Sequence, residues 1–121
     1  MSGKKIVAVI DDDPEMRASM ARLLSVLEYS VITFDSAEAF LACAATSKAN
    51  CLVVDIQLGD ISGIELAHQL AADGLSVPIV FMTGLDDELI LAQATDAGGI
   101  TLLRKPFSAK TLNDAIRAAI G

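Results

Sequence analysis

Three carboxylates stand where buried strands would surface. Asp11 and Asp12 directly follow Ile6-Val7-Ala8-Val9-Ile10, and Asp55 closes the apolar run Cys51-Leu52-Val53-Val54. A strand buried on both faces reads as such a run, so the acid ending it emerges at the carboxyl edge of a parallel sheet, where open α/β sheets bind ligands. Two carboxylates about 4 Å apart repel by roughly 4 kcal/mol at an effective dielectric near 20, so a cluster of three needs positive charge. Lys105, ahead of Pro106, is a candidate neighbour, yet one ammonium against three carboxylates leaves 1 − 3 = −2. A divalent cation would neutralise the rest. Oxygen-only ligands favour Mg2+ or Mn2+, and few protein ligands with several waters suit Mg2+, which commonly bridges carboxylates to a phosphate. Thr83-Gly84 adds a hydroxyl donor and room for an anion. The set suits phosphoryl transfer: Asp55 is the natural nucleophile, with Thr83, Lys105 and the metal neutralising a phosphoryl group placed on it.

The elements that must position these residues follow from periodicity. Short apolar runs alternate with segments of helical period, the pattern of an α/β domain around a parallel sheet. Strands are expected at Lys5 to Ile10, Ser30 to Phe34, Cys51 to Asp55, Pro78 to Met82 and Ile100 to Leu103. The first helix has Asp13 as its cap, Pro14 in its first turn and an apolar stripe of Met16, Met20, Leu23, Leu24 and Leu27, ending near Glu28. A second helix capped by Ser36 runs to about Ala45. A third, Gly63 to Ala72, turns Ile64, Ala67, Leu70 and Ala71 inward and stops at Gly74. A fourth spans about Asp87 to Ala97, and a fifth starts at Ser108, with Leu112, Ala115, Ile116, Ala119 and Ile120 inward. Right-handed crossovers leave few ways to wind five such units. One well-populated solution is a doubly wound sheet of order 2-1-3-4-5, which makes strands 1 and 3 neighbours and brings Asp11, Asp12 and Asp55 to one crevice.

Size and charge narrow the classes. The 121 residues, 53% hydrophobic, suit one domain over residues 1–121, with no internal repeat or linker. The balance of 9 Lys+Arg against 16 Asp+Glu gives −7, which argues against general affinity for nucleic acid or an anionic membrane. No apolar stretch approaches the roughly 20 residues of a membrane span, and Met1 to Lys5 has no signal-peptide core, so a cytoplasmic protein is expected. Cys43 and Cys51 lack metal-ligand spacing and read as reduced core residues. His68, the sole histidine, reads as a surface or boundary residue, and Asp86-Asp87-Glu88 as a helix start.

Over its whole length the chain resembles the receiver domain of two-component response regulators, in the CheY-like superfamily of flavodoxin-like folds. Its matching positions are the acid pair Asp11 and Asp12, the phosphoacceptor Asp55, the hydroxyl residue Thr83 and the lysine Lys105. The resemblance also carries the 2-1-3-4-5 order, and it implies that the backbone carbonyl of Gln57 is a further metal ligand and that Lys105-Pro106 is cis. Ser36-Ala37-Glu38-Ala39-Phe40-Leu41 and Lys105-Pro106-Phe107 point to the FixJ-like branch. It further implies phosphorelay signalling, with a phosphoryl group taken from the phosphohistidine of a sensor histidine kinase or histidine phosphotransfer protein. The chain would promote only its own phosphorylation and dephosphorylation, rather than act as an enzyme. A homodimer through the fourth helix, fifth strand and fifth helix is the family analogy. This length leaves no room for a DNA-binding output module, so no direct nucleic-acid contact is expected. Two positions depart from the pattern: Gly59 stands where many members have proline, and Leu102 where many have a switch aromatic. Gly59 should loosen its loop, and Leu102 cannot report phosphorylation by ring rotation.

Taken singly, the residues have plainer readings: Asp13 is a helix cap before Pro14, Thr83 a turn residue, Lys105 a solvated lysine. Other functions compete as well. An aspartate-nucleophile phosphatase resembling the haloacid dehalogenase family shares the chemistry, but its Asp-x-Asp-x-Thr/Val motif fails at Glu15 of Asp11-Asp12-Asp13-Pro14-Glu15. A flavin module would need a phosphate-cradling loop where strand 1 meets acids. A degenerate receiver acting by protein contact alone would draw on Gly59 and Leu102, and would bind partners equally well with Asp55→Asn.

Overall fold

The computed structural model describes residues 4–59, 61–84, 92 and 101–120. Strands β1 (Ile6–Ile10), β2 (Ser30–Phe34), β3 (Cys51–Asp55), β4 (Ile79–Thr83) and β5 (Thr101–Arg104) form one parallel sheet in the order β2-β1-β3-β4-β5. The order is the expected one, and the winding reverses between β1 and β3. Their carboxyl ends therefore share a crevice.

Alternation along the strands divides the core into two layers. Ala8, Ile10, Leu52, Val54, Ile79 and Phe81 face the side covered by α2 (Ala37–Leu41) and α3 (Gly63–Ala72), where Phe40, Leu66 and Leu70 meet them. Val7, Val9, Cys51, Val53, Val80 and Met82 face α1 (Pro14–Val26) and the C-terminal helix Ala109–Ile120, through Met20, Leu24, Leu112 and Ile116. Each fully buried large aliphatic side chain stabilises the fold by roughly 1.5–3 kcal/mol relative to exposure. Such coverage makes β3 and β4 buried along their whole length, the property that an unbroken apolar run announces.

Local signals set the boundaries. Asp13 caps α1 by accepting from the Glu15 N–H at 3.0 Å, with Pro14 at the first position. Ser62 and Glu65 form a reciprocal capping box on α3, and Gly74, at φ 75°, ends it. Ser108 Oγ accepts from the Thr111 N–H at 3.1 Å at the start of the C-terminal helix.

Several expectations are corrected. The helix from Ser36 ends at Leu41 and the chain tightens into a 3-10 turn at Ala44–Thr46, because Phe40 anchors it and the chain must turn back to enter β3. Ala71 is exposed, and Leu66 takes the inward place assigned to it. Lys5 and Pro78 lie just outside their strands, whereas Thr83 and Arg104 fall inside theirs. Cys43 is half-buried rather than core, while Cys51 is fully buried and its thiol is pushed up to about 12 by that burial. Both are free thiols. Of the expected fourth helix only Ala92, which is helical, is among the described residues; the rest, including Asp86-Asp87-Glu88, lies outside them, as does the part it would contribute to a dimer surface. Among the described residues no helix is long and apolar enough to cross a membrane.

Candidate functional site

Each acid is delivered by the end of a strand. Asp11 follows β1 and is fully buried; its N–H donates to the Phe34 carbonyl of β2 at 3.1 Å. Its Oδ1 accepts from the Asp13 N–H at 3.0 Å, which leaves Oδ2 turned inward with no hydrogen bond. Asp12 is exposed beside it. Asp55, at the end of β3, has one oxygen on the Gln57 N–H at 2.9 Å and the other on Lys105 Nζ at 2.8 Å. Carboxylate oxygens of Asp11, Asp12 and Asp55 all lie within 4.8 Å of one another.

Lys105 is placed by β5. Its N–H donates to the Thr83 carbonyl at 2.8 Å, tying the lysine to the end of β4, and the peptide bond to Pro106 is cis. Nζ lies 3.6 Å from Asp11 Oδ2 as well as 2.8 Å from Asp55. Thr83 is fully buried at the same edge, and a Cβ at Gly84 would meet no heavy atom of the described residues within 4 Å. The five residues singled out from sequence thus share one edge of the sheet.

The electrostatics are unbalanced in a particular direction. Burial raises the Asp11 carboxyl above its ordinary value; the Asp13 N–H and Lys105 act against this, and Asp55 and Asp12 act with it. Burial pulls Lys105 down, but its hydrogen bond and charge contacts with Asp55 and Asp11 prevail and hold it above its ordinary value. The lysine is thus a fixed cation facing three acids. A buried carboxylate oxygen without a donor is costly, and it faces a cluster made of oxygen ligands only. This donor set fits a hard divalent cation, with Asp11, Asp12 and Asp55 as side-chain ligands. Gln57, exposed in the turn after β3, carries the carbonyl expected to join them.

Two contributors were invisible to motif reading. Gly63 opens α3 against the back of the site: its N–H donates to the Ile56 carbonyl at 2.9 Å, and a Cβ there would lie 2.5 Å from the Asp55 backbone oxygen, 2.9 Å from Val54 Cγ1 and 3.0 Å from Ile56 Cα. Because two of those atoms are backbone, Gly63→Ala is expected to destabilise the fold by about 3 kcal/mol, the upper range for overpacking. Urea unfolding should show this as a lower midpoint, and a melting temperature lower by roughly 10 °C should accompany it; unchanged values would mean that the loop yields freely. Arg17 is the second, its Nη1 donating to the Asp11 carbonyl at 2.9 Å. Its position in the first turns of the helix after the acids was the available signal, but a backbone contact leaves no pattern in residue types.

Known proteins share both sequence and shape with this chain. The family described as response regulator receiver domain matches residues 7–117. The transcriptional regulatory protein FixJ of Bradyrhizobium diazoefficiens is 36% identical over 120 residues, 99% of this chain and 58% of that protein. The transcriptional regulatory protein TdiR of Thauera aromatica is 34% identical over 114 residues, 94% of this chain and 50% of that protein. The chain thus spans about half the length of the curated relatives it matches. Among solved structures, FixJ-N superposes with a TM-score of 0.92 at 32% identity, covering 98% of this chain and 95% of that one. The response regulator StyR gives 0.89 at 39% identity, covering 98% and 60%. The match in sequence, strand order and shape makes this chain a member of the response regulator receiver domains of two-component systems, in agreement with its FixJ-like features.

Proposed function

We propose that Asp55 accepts a phosphoryl group from the phosphohistidine of a sensor histidine kinase or histidine phosphotransfer protein, with Mg2+ held by Asp11, Asp12, Asp55 and the Gln57 carbonyl. The observation that carries this reading is the convergence of Lys105 and three carboxylates on the β3 carboxyl edge, with Lys105 Nζ 2.8 Å from Asp55. An Asp55 carboxylate oxygen bonds to phosphorus while the P–N bond to the donor imidazole breaks, and the ring nitrogen keeps that electron pair. The product is an acyl phosphate on Asp55. Lys105 pairs with the new phosphoryl oxygens and the Thr83 hydroxyl donates to one of them, as developing anionic charge requires. Mg2+, when bound, supplies the charge neutralisation that one lysine cannot. Exchange of a carboxylate for a dianionic phosphoryl group is a local electrostatic event that biases the surrounding surface and its partners. In this reading the chain acts on no separate substrate and works in the cytoplasm.

Intact mass after incubation with acetyl phosphate tests the reading: one phosphoryl adduct forms with Mg2+ and none with a chelator. An adduct indifferent to the chelator would contradict it. Lys105→Gln has two expected consequences of opposite benefit. Adduct formation slows about 100-fold, the usual cost of losing one oxyanion-stabilising donor. Mg2+ binds more tightly, because a cation competing for Asp11 and Asp55 is gone. Time-resolved mass and calorimetric titration read the two effects, and a variant unchanged in both removes Lys105 from the site's chemistry.

A further inference from the structure

The acids of the site differ in how they are held. Asp55 is fixed through its side chain, by Lys105 and the Gln57 N–H. Asp11 is fixed largely through its backbone: its N–H is bound to Phe34 of β2, and its carbonyl accepts from Arg17 Nη1 at 2.9 Å across the first turns of α1. The side chain adds the Asp13 contact to Oδ1 and a looser charge contact from Lys105 Nζ, 3.6 Å from Oδ2, which is buried and has no hydrogen bond. Arg17 is half-buried and forms no ion pair with a carboxylate among the described residues, although Asp11, Asp12 and Asp13 are its near neighbours in the chain. A guanidinium beside an acidic cluster would ordinarily take a bidentate carboxylate. Here its hydrogen bond goes to a peptide oxygen instead.

We infer that Arg17 is a positioning residue for metal binding, clamping the Asp11 carbonyl so that the turn from Asp11 to Asp13 holds Asp11 Oδ2 and the Asp12 carboxylate toward the cluster. The inference rests on reading that cluster as the Mg2+ site. The physical logic is that of an outer partner orienting a ligand, whose loss typically costs roughly 10- to 100-fold in metal affinity. Arg17 Nη1 closes the turn from its helical side and the sheet closes it from the other, through Phe34. Without Arg17 the Asp11 carbonyl turns to water and the acid pair gains freedom that binding must then remove.

Charge and position predict opposite signs, which makes the inference testable. As a mere nearby cation, Arg17 repels Mg2+, so its removal would tighten binding. As a clamp, its removal weakens binding even though a positive charge has gone. Calorimetric Mg2+ titration of the parent, Arg17→Met, Arg17→Lys and Asp11→Asn, each checked for folding by circular dichroism, separates these cases. The expected result is about 10-fold weaker Mg2+ binding for Arg17→Met, with partial recovery in Arg17→Lys, whose single ammonium can still donate to the carbonyl. Equal or tighter binding in Arg17→Met, with the fold intact, overturns the inference, and so does a drop in melting temperature without any change in Mg2+ affinity. If the parent itself fails to bind Mg2+, or Asp11→Asn binds as the parent does, the fault lies in the reading of the metal site and not in the role of Arg17.

Discussion

Asp55→Asn is expected to take up no phosphoryl group from acetyl phosphate under conditions that modify the parent fully. Deleting a covalent nucleophile removes the path itself, so the loss should be at least about 10⁴-fold and below detection by intact mass. The substitution is conservative in every other respect. An asparagine carbonyl still accepts from the Gln57 N–H, Lys105 keeps Asp11 as a partner, and the side chain fills the same, largely buried, place at the end of β3. The variant should therefore fold, and a fold check makes the loss of labelling interpretable. Full labelling of a folded Asp55→Asn would move the acceptor elsewhere.

Asp11→Asn should have effects of opposite sign with and without metal. Loss of a buried ligand is expected to weaken Mg2+ binding at least about 100-fold, more than loss of an outer partner costs. Mg2+ at about 100 times its dissociation constant stabilises the parent by roughly 2.7 kcal/mol, so a shift in melting temperature that the parent shows should vanish in the variant. Without Mg2+ the order reverses. The Asp11 carboxyl lies above its ordinary 3.8 in the folded protein, chiefly because it is buried, so its contribution to stability is present in full below pH 3.8 and is lost as pH rises through the folded value. At pH 7, well above the ordinary value, the raised carboxyl is then a cost, and Asp11→Asn should be the more stable protein, with an advantage that closes as pH falls to 3.8. Melting curves at neutral and acid pH, with and without Mg2+, give all four values. A variant that keeps the Mg2+ shift and is less stable than the parent at pH 7 would refute this account of Asp11. If both results hold, the acid that weakens the metal-free protein is also the one that binds the cation, a trade of stability for function.

The site was legible because its parts are strand ends. Burial on both faces makes β3 an unbroken apolar run, and a charged residue can end it only at the edge; Asp55 and Asp11 were found by that logic. The bounds Ser30–Phe34, Cys51–Asp55 and Gly63–Ala72 emerged as expected, since cap residues or abrupt polarity changes flank them. Tertiary packing hid the rest. The alanines after Leu41 favour helix, yet Phe40, seated edge-on to Phe34 with ring centroids 5.2 Å apart, fixes the chain where it must turn toward β3. Ala71 sits at the margin of the α3 stripe, where periodicity alone cannot tell a covered residue from an open one. Arg17 and Gly63 act on backbone atoms of Asp11 and Asp55, and residue types carry no trace of such contacts. The two departures from the family pattern fare differently. Gly59 adopts φ +43°, a conformation that glycine accepts and proline cannot, so this turn takes a path closed to the usual residue. Leu102 packs half-buried against the layer covered by α2 and α3.

In the proposed reaction phosphorus becomes bonded to the carboxylate of Asp55. Borohydride reduction of the protein after incubation with acetyl phosphate and Mg2+, followed by peptide mass mapping, tests it at the bond itself. An acyl phosphate is reduced to an alcohol, so the account predicts homoserine at position 55, dependent on both phosphodonor and Mg2+ and absent after chelation. Reduction product at another acid, or a phosphoryl group that survives borohydride on a serine, threonine or histidine, would contradict it.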